Sequence, residues 1–310
     1  MKDQTAFRRK DNFWSNFKKF KSLYFLSLPG ILYFILFKYV PLLGLVIAFQ
    51  NYNIFKGVTE SAWVGLAHFK RMFEYYEFLS ILKNTLLIAM YDLIFAFPVP
   101  ILVALLLNEI RKATYKRFLQ TIVYAPHFLS WVIIGSIFVE VLSPSTGIVN
   151  TLLAQFGFHT QYFLGDESYI RTIIVGSGIW RDTGWGTIIY LAALSGINPD
   201  LYEASEIDGA SRFRQTLSIT LPSLLPTIVI LFLLHIGNFL DFGFERVFVF
   251  LNPLNSINAD ILDTYIYRVG LIDRQYSYTT AVGIFKSLVG LLLIVFGNLL
   301  SKRATGESLY

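Results

Sequence analysis

The sequence contains no cysteine, and this absence excludes disulfide bonds, thiolate metal sites and a cysteine nucleophile. It has only four histidines, and none of them belongs to the HExxH spacing of a helical zinc site. The GxxxxGKS/T loop that cradles nucleotide phosphates is also missing, so the chain does not hydrolyse ATP by that motif. A membrane enzyme would need nucleophilic, metal-binding or acid–base residues clustered near one interface, and these absences argue against it.

Charged residues are scarce. They make up 15% of the 310 residues, whereas a soluble domain carries about a quarter. Hydrophobic residues make up 55% and aromatic residues 17%, and tryptophan and tyrosine are typical of interfacial belts in membrane proteins. A helix needs about 20 mostly apolar residues to span a bilayer. We therefore predict an all-α membrane protein with six transmembrane helices, at about 23–49, 83–107, 118–142, 171–195, 219–242 and 279–300.

The basic residues lie in groups that an even number of crossings would bring to one side of the membrane. They precede the first apolar run, fill the short loop 108–117 and follow the last run. This is the positive-inside pattern, and it predicts cytoplasmic termini. The chain divides into a basic N-terminal segment (1–22), a six-helix transmembrane domain (23–300) and a tail (301–310). Nucleic-acid binding would need a basic face on a soluble fold, so the net charge of +5 does not indicate it.

A polar stretch at 196–218 separates the fourth and fifth predicted spans. Asn198-Pro199 is typical of a helix start, because asparagine caps the first turn and proline fits its first position. Acidic residues follow in the opening turns, where the helix dipole favours negative charge. Gly209 then permits a turn without a Cβ penalty. We predict a helix–turn–helix (198–218) at the cytoplasmic face on which a soluble protein docks; a merely solvated loop is the alternative.

The spacing within this hairpin resembles a family motif. Glu203-Ala204-Ser205 is followed after three residues by Gly209 and, nine residues later, by Ile219-x-Leu221-Pro222. The pattern resembles the EAA motif of permease subunits of binding-protein-dependent ATP-binding cassette importers, with Ser205 in place of a second alanine. The resemblance runs from about residue 20 to the end. Three further stretches resemble the branch that imports oligosaccharides and polysaccharide fragments: Trp180-Arg181-Asp182-x-Gly184-Trp185, Gly243-Phe244-Glu245 and Tyr265-x-Tyr267-Arg268-x-Gly270-Leu271.

The resemblance implies a type I importer permease fold in a bacterial plasma membrane, in contact with membrane lipid. It implies a second, homologous permease subunit, two copies of a cytoplasmic ATPase that bind MgATP, an extracytoplasmic sugar-binding protein and an oligosaccharide substrate. It implies no cofactor or metal in this chain. The hairpin then contains a cytoplasmic coupling helix that sits in a groove of the ATPase. The coupling residues carried over by the motif are Glu203, Ala204, Ser205, Asp208, Gly209, Ala210 and Arg212.

Ionisable side chains at membrane depth are costly and face the helix bundle or water. Arg181 and Asp182 lie mid-span beside two tryptophans, where indoles would stack on sugar rings and charged groups would bind hydroxyls. An internal Arg–Asp ion pair with packing tryptophans is an equal alternative. Asp92 is expected to pair with an embedded lysine, Lys38 or Lys286. The predicted substrate path comprises Trp131, Trp180, Arg181, Asp182, Trp185, His235, Asn238 and Asp241.

Together these features predict a permease subunit of an ATP-driven oligosaccharide importer, and not an enzyme. Arg181 and Lys286 would suit an acidic sugar such as a uronate. An ion-driven secondary sugar carrier is the main alternative, because Asp92 or Asp241 could bind a proton. Such carriers often contain inverted repeats, which we do not find here, and they need no docking hairpin.

Overall fold

The computed structural model describes residues 19–305, so the predictions for most of the N-terminal segment (1–22) and for half of the tail (301–310) lie outside the described residues. The described α-helices are α1 (Lys21–Phe34), α2 (Gly57–Glu60), α3 (Ala67–Glu74), α4 (Tyr76–Tyr91), α5 (Pro98–Asn108), α6 (Ala113–Tyr124), α7 (Trp131–Val141), α8 (Ile148–Gln155), α9 (Ile170–Ser195), α10 (Asp200–Ile207), α11 (Arg212–Gln215), α12 (Leu221–Gly237), α13 (Phe244–Phe248), α14 (Ser256–Ala259), α15 (Leu262–Tyr265) and α16 (Tyr276–Thr305). Two short antiparallel strands, β1 (Gln50–Asn51) and β2 (Ala62–Trp63), pair after the first long helix.

Short π-helical or 3-10 turns continue several of these α-helices without a break in the chain direction. They occur at Ile35–Tyr39, Val40–Phe49, Asp92–Ala96, Ala125–Phe128, Thr216–Thr220 and Ile266–Ile272. Proline lies in or beside many of them, and because proline lacks an amide hydrogen it removes one bond from the helical ladder. Helical turns of other types re-pair the freed carbonyl groups, which is how membrane helices tolerate such breaks.

Four continuous helical stretches are long and apolar enough to cross a membrane: Lys21–Phe49, Tyr76–Asn108, Arg212–Gly237 and Tyr276–Leu299. A fifth crossing is formed if the bent pair Ala113–Phe128 and Trp131–Val141 counts as one span. Within residues 19–305, the fold is therefore a helical membrane bundle with four or five spans by length and composition, against six predicted.

Helix α9 accounts for the difference. Its 26 residues are enough to cross a bilayer, but three charged residues and many small polar ones keep it less apolar than the other spans. It is nevertheless the helix around which the bundle packs, with α5, α6 and α12 as neighbours. A Cβ added at Gly184 would lie 2.1 Å from the carbonyl oxygen of Val123 on α6. Glycine thus lets the two backbones approach closely, as in other membrane helix pairs.

Three predicted spans differ from the structure by more than a few residues. The second (83–107) begins earlier, at Tyr76. The third (118–142) is bent by 103° at residues 129–130, where the Ser130 side chain accepts a hydrogen bond from the amide of Ile133 at 3.4 Å and caps α7. The fifth (219–242) begins earlier, at Arg212, and ends at Gly237. Its predicted last turn is therefore a non-helical segment, and this change moves Asn238 and Asp241 off the helix.

The buried apolar side chains form three clusters. The first two fasten the connections at one end of the bundle to α4, α9 and α16, and the third packs α5, α9 and α12 together near the hairpin. The clusters are centred on Ile88, Ile170, Ile174, Val247 and Ile261; on Met72, Phe78, Leu262, Tyr265 and Tyr278; and on Ala104, Tyr190, Leu194 and Leu224.

Buried asparagines hold the long connections between spans. Asn150 is 2% exposed. Its amide donates to the carbonyl oxygens of Leu142, Ser143 and Gln161 at 3.0 to 3.3 Å, and its Oδ1 accepts from the amide of Gln161 at 2.8 Å. Asn255, fully buried, donates in the same way to two carbonyl oxygens at 2.8 Å. Since an unpaired buried carbonyl is costly, these side chains replace the backbone bonds that an irregular segment lacks.

Replacing Asn150 with alanine should lower the free energy of unfolding by about 1–3 kcal/mol, because it leaves buried backbone groups without partners. The thermal unfolding midpoint of the detergent-purified chain, followed by tryptophan fluorescence, measures this. Asn51→Ala is the matched control, because Asn51 is exposed and its substitution should change the midpoint little. Equal midpoints for the two variants would contradict the structural role of Asn150.

Candidate functional site

A cavity of about 680 Å³, lined by both polar and apolar side chains, lies among α4, α5, α7, α9, α12 and α13. Six of the eight predicted path residues line it: Trp131, Arg181, Asp182, His235, Asn238 and Asp241. Trp180 and Trp185 are not among the lining residues, and they are 43% and 52% exposed. Within residues 19–305, no three histidine, aspartate or glutamate side chains come together to hold a metal ion. The cavity can therefore bind a ligand through hydrogen bonds, charge and ring stacking.

Asp92 and Arg246 are the most buried charged residues of this cavity, at 8% and 4% exposure. The Nη2 of Arg246 donates to Asp92 Oδ1 at 2.6 Å and to the carbonyl oxygen of Val175 at 3.3 Å, while its Nε donates to the carbonyl oxygen of Ile174 at 3.0 Å. The Nε2 of His235 lies 3.7 Å from Asp92 Oδ2. One guanidinium thus connects the turn after α4, the N-terminal part of α9 and the short helix α13.

The predicted pairing of Asp92 with a lysine is wrong, because Arg246 is its partner. Lys38 is exposed, and Lys286 pairs with other carboxylates. Arg246 lies on α13, in the long connection between α12 and α16, directly after the Gly243-Phe244-Glu245 stretch that carried part of the family resemblance. Nothing in the local sequence marks it as buried, since the connection folds back into the bundle only in the tertiary structure.

Gly178 provides the space that the Arg246 guanidinium occupies. A Cβ added at Gly178 would lie 2.2 Å from Arg246 Cζ, a separation that real atoms do not reach. A Cβ added at Gly176, two residues earlier on the same helix, would meet no atom within 4 Å. The glycine-rich Gly176-Ser177-Gly178 stretch is therefore a packing site, and only its second glycine is required by its neighbours.

Arg181 and Asp182 form the ion pair that the sequence left as one of two alternatives. The Nη1 of Arg181 donates to Asp182 Oδ1 at 2.9 Å, and its Nε donates to the carbonyl oxygen of Leu129 at 3.4 Å. The guanidinium also lies 4.9 Å from the ring centre of Trp131, within cation–π range. Pairing does not remove these groups from the cavity, because both still line it and the Asp182 side chain is 44% exposed.

The two neighbouring tryptophans of α9 have different surroundings. Trp185 stacks on His127, with ring centres 4.7 Å apart and planes 7° apart. His127 Nδ1 lies 3.0 Å from Asp182 Oδ1, so this ring is held between an indole and a carboxylate. Trp180 meets Phe138 edge-on at 6.0 Å. Packing against neighbouring rings thus accounts for part of the surroundings of both tryptophans. Their contact with sugar, expected from the sequence, stays a prediction.

The segment after α12 separates the first cavity from a second one of about 450 Å³. Asn238 and Asp241 line both cavities. In the second cavity the Lys286 ammonium lies 2.5 Å from Asp263 Oδ1 and 3.7 Å from Asp241 Oδ1. Arg181 and Lys286 are the two basic residues that the sequence analysis assigned to an acidic sugar. Both are already paired with carboxylates, so neither is free to recognise such a sugar by charge alone.

The hairpin turns by a Schellman motif at the end of α10. Gly209 has φ +74°, a conformation that glycine adopts without strain. Its amide donates to the carbonyl oxygen of Glu206 at 3.0 Å, and the amide of Ala210 donates to the carbonyl oxygen of Ser205 at 2.9 Å. These two bonds satisfy carbonyl groups that the helix end would otherwise leave unpaired. The turn is therefore fixed by local chemistry that the sequence displays.

Side chains fasten the hairpin to the membrane bundle. Gln215 is buried, and its Nε2 donates to Ser205 Oγ at 2.9 Å; Ser205 Oγ in turn donates to the carbonyl oxygen of Tyr202 at 2.8 Å. The hydroxyls of Tyr202 and Thr220 lie 2.9 Å apart. Ser205, the position at which the motif departs from alanine, thus bonds within the hairpin. These bonds connect α10 to α11 and to the turn that precedes α12.

The exposed face of α10 has no partner within residues 19–305. Glu203, Ala204 and Asp208 are exposed there, and Glu203 forms no ion pair within residues 19–305. Two large apolar side chains that the sequence reasoning missed lie beside them: Ile207 is 87% exposed and Phe213 is 74% exposed. Isolated apolar residues in a polar hairpin were the available signal. Large apolar side chains that are exposed among charged ones are typical of surfaces that bind another protein.

Arg212, a predicted coupling residue, has partners within the chain. Its Nη2 lies 3.7 Å from Glu206 Oε1, and its Nη1 lies 3.7 Å from Glu109 Oε2 at the end of α5. All three side chains are about half exposed, so these pairs contribute little stability. They do connect the hairpin to the neighbouring loop, and Arg212 is thereby oriented toward the bundle.

Gly178→Ala should destabilise the chain by about 1–3 kcal/mol, because the added methyl group must displace a buried guanidinium that holds three elements together. Gly176→Ala is the control on the same helix; it should be neutral or slightly stabilising, since alanine favours a helix over glycine. Thermal unfolding of both purified variants measures the difference. A Gly178→Ala midpoint equal to that of Gly176→Ala would contradict the packing of Arg246 against this glycine.

Comparison with known proteins assigns this arrangement to a family. Residues 96–306 match the family described as binding-protein-dependent transport system inner membrane component, which is more than half of the chain. The match includes the hairpin, the second cavity and most of the residues that line the first cavity.

Two curated relatives come from Bacillus subtilis (strain 168). The chain is 49% identical to the polygalacturonan/rhamnogalacturonan transport system permease protein YteP, over 94% of this chain and 90% of that protein. It is 47% identical to the protein LplB, over 94% of this chain and 92% of that one.

A solved structure is also similar. A chain in the crystal structure of a bacterial alginate ABC transporter, in complex with an alginate pentasaccharide-bound periplasmic protein, matches with a TM-score of 0.89 and 40% identity, over 96% of this chain and 99% of that one. The resemblance drawn from the EAA motif is thereby confirmed, as is the importer permease fold that it implied. The chain belongs to the family of binding-protein-dependent transport system inner-membrane components.

Proposed function

We propose that this chain is one permease subunit of an ATP-driven importer of oligosaccharides. It forms half of the translocation path, and its hairpin couples that path to a cytoplasmic ATPase. The observation that carries the proposal is the hairpin surface around Glu203, Ile207 and Phe213, which is exposed although the hairpin itself is firmly bonded. A rigid element with an unpartnered apolar face is suited to receive force from another protein.

Relatives support a polysaccharide fragment as the substrate. The name of YteP specifies polygalacturonan and rhamnogalacturonan. The solved transporter is described with alginate, an acidic polysaccharide. The volume of the first cavity, about 680 Å³, is within the range of pockets for small ligands. Trp131 and the Arg181–Asp182 pair supply a ring face and polar groups on its wall. We therefore assign an oligosaccharide with acidic residues as the substrate class.

The proposed mechanism is alternating access. This chain pairs with a homologous permease, two ATPase subunits that bind MgATP dock beneath the hairpins, and an extracytoplasmic binding protein delivers the sugar. Closure of the ATPases moves α10, and the Ser205–Gln215 and Tyr202–Thr220 bonds pass that movement to α12. Both termini are cytoplasmic in this arrangement, in the plasma membrane of a bacterium. The ATP hydrolysis belongs to the partner, so this chain is not an enzyme.

The ion-driven carrier is a weaker alternative in view of the charge pairing. Asp92 would have to bind and release a proton, but it accepts a hydrogen bond from the buried Arg246 at 2.6 Å. This buried contact holds Asp92 as the structural partner of a guanidinium. Asp241 is 66% exposed, and it also has a cation, Lys286, at 3.7 Å. Uptake in proteoliposomes that depends on an ion gradient and proceeds without ATP would favour the carrier.

Glu203→Lys should abolish ATPase binding while the chain still inserts in the membrane, because a reversed charge meets the wrong sign on the partner. We expect ATP-dependent uptake to fall about tenfold or more, the effect of losing a charge contact worth about 2 kcal/mol. Affinity purification of the tagged chain in mild detergent, with mass spectrometry, identifies the partners retained. Glu60→Lys makes the same change on exposed α2, in the connection after the first span, and should retain them. Normal uptake by Glu203→Lys would refute the coupling role.

Ile207→Ala should weaken the contact between the hairpin and the ATPase, because it removes a large exposed apolar side chain from the hairpin. The loss of a fully buried isoleucine side chain at an interface costs about 2 kcal/mol, so the ATPase should dissociate during purification at lower salt and detergent than from the unaltered complex. Ile148→Ala is the matched control, because Ile148 is also exposed, at 62%, but lies on α8, away from the hairpin. Equal ATPase recovery with both variants would remove Ile207 from the docking surface.

A further inference from the structure

The second cavity, of about 450 Å³, lies between the segment that ends α12 and the last long helix. Its polar lining consists of Asn238, Asp241, Asp263, Lys286 and Ser287. These residues come from three separate elements, and their side chains converge at the depth of the bundle. Since charged groups inside a membrane protein face water, a ligand or one another, such a cavity is a functional-site candidate.

The charges in this cavity do not balance. Lys286 contributes one positive charge, and its ammonium contacts Asp263 Oδ1 at 2.5 Å and lies 3.7 Å from Asp241 Oδ1. Two carboxylates therefore share one cation. The second oxygen of Asp263, Oδ2, is buried and has no hydrogen-bond partner within residues 19–305. A buried carboxylate oxygen without a donor is costly, so this site is incomplete without a donor from another molecule.

The missing group is a hydrogen-bond donor, not another acid. A carboxylate oxygen only accepts, and an incoming uronate carboxylate would add a third negative charge beside Asp263 and Asp241. Sugar hydroxyls have the required chemistry, because adjacent hydroxyls can donate to one carboxylate. The Lys286 ammonium has three donors and can offer one that Asp263 does not use to a sugar oxygen. Hydrogen bonds of this kind, with one charged partner, are about twice as strong as neutral ones.

The second cavity borders the first. Asn238 and Asp241 line both, so the turn 238–241 forms a wall that the two cavities share. Gly243, with φ +99°, ends this turn and permits the sharp change of direction before α13. A sugar chain that occupies the first cavity thus has a neighbouring polar space for its next ring.

We propose that the second cavity is a sugar subsite that binds the hydroxyls of one ring through Asp263 and Asp241, with Lys286 holding the two carboxylates in position. The inference rests on the proposed transport function and deepens it, because it specifies which part of an acidic oligosaccharide this chain recognises. In this subsite the chain binds hydroxyl groups, and the carboxylates of the sugar point away from it.

The absence of cysteine makes the test direct, since a single introduced cysteine is the only thiol in this chain. Ser287→Cys lines the subsite, and in the assembled complex it should react with a charged methanethiosulfonate reagent. A panel of oligosaccharides from polygalacturonan, rhamnogalacturonan and alginate should slow that reaction about tenfold for at least one member. Leu292→Cys, 68% exposed on the same helix and outside the cavity lining, is the control and should not be protected.

Chemical modification of the protecting sugar then identifies the group that is recognised. Methyl esterification of its carboxyl groups should leave the protection of Ser287→Cys unchanged, whereas acetylation of its hydroxyls should abolish it. The opposite result would mean that Lys286 binds the sugar carboxylate, and it would overturn the proposal. Protection by sodium or potassium salt without sugar would overturn it as well, because the cavity would then be a cation site.

Asp263→Asn tests the same subsite in transport. The amide replaces an acceptor oxygen with a donor and should raise the KM for uptake about tenfold, the loss of one charged hydrogen bond, with a smaller change in the maximal rate. Unchanged KM, or no protection of Ser287→Cys by any panel member, would refute the subsite. If no panel member is transported by the unaltered complex, the proposed function fails instead, and the two failures are thereby distinguished.

Discussion

Asp92 and Arg246 are 154 residues apart in the sequence and meet inside the helix bundle at 2.6 Å. The same guanidinium donates to two carbonyl groups of α9, at Ile174 and Val175, and Gly178 leaves room for it. Breaking a buried pair of this kind is strongly destabilising, because it leaves one charge without a partner in a medium that solvates it poorly. The relative positions of α4, α9 and α13, and with them the walls of the first cavity, depend on this contact.

From this fixed centre the chain is organised toward two ends. One end contains the connections held by buried asparagines, and the other contains the hairpin with its Schellman turn at Gly209. The hairpin is bonded to the start of α12, and α12 ends in the non-helical turn that borders both cavities. A movement received at the hairpin therefore has a continuous helical route to the cavities. This continuity is the structural basis for coupling in the proposed importer.

Charge pairing limits what the cavities can recognise. The embedded bases Arg181, Arg246 and Lys286 each have a carboxylate neighbour, so the wall that this chain contributes is not a basic surface. An acidic oligosaccharide would be recognised here through its hydroxyls and ring faces.

The sequence alone was sufficient for the membrane class, the helical fold and the hairpin. Apolar runs, basic groups and the spacing from Glu203 to Pro222 act locally, because membrane insertion, helix capping and a glycine turn depend on neighbours within a few residues. Six of the eight residues predicted to form the substrate path line one cavity in the structure, and their contact with substrate stays a prediction. The tertiary structure decided the rest: the partner of Asp92, the break at residues 129–130, the end of α12 at Gly237 and the exposure of Ile207. The Asp92–Arg246 contact joins segments far apart in the chain, and the exposure of a side chain depends on how all the segments pack, so local patterns encode neither.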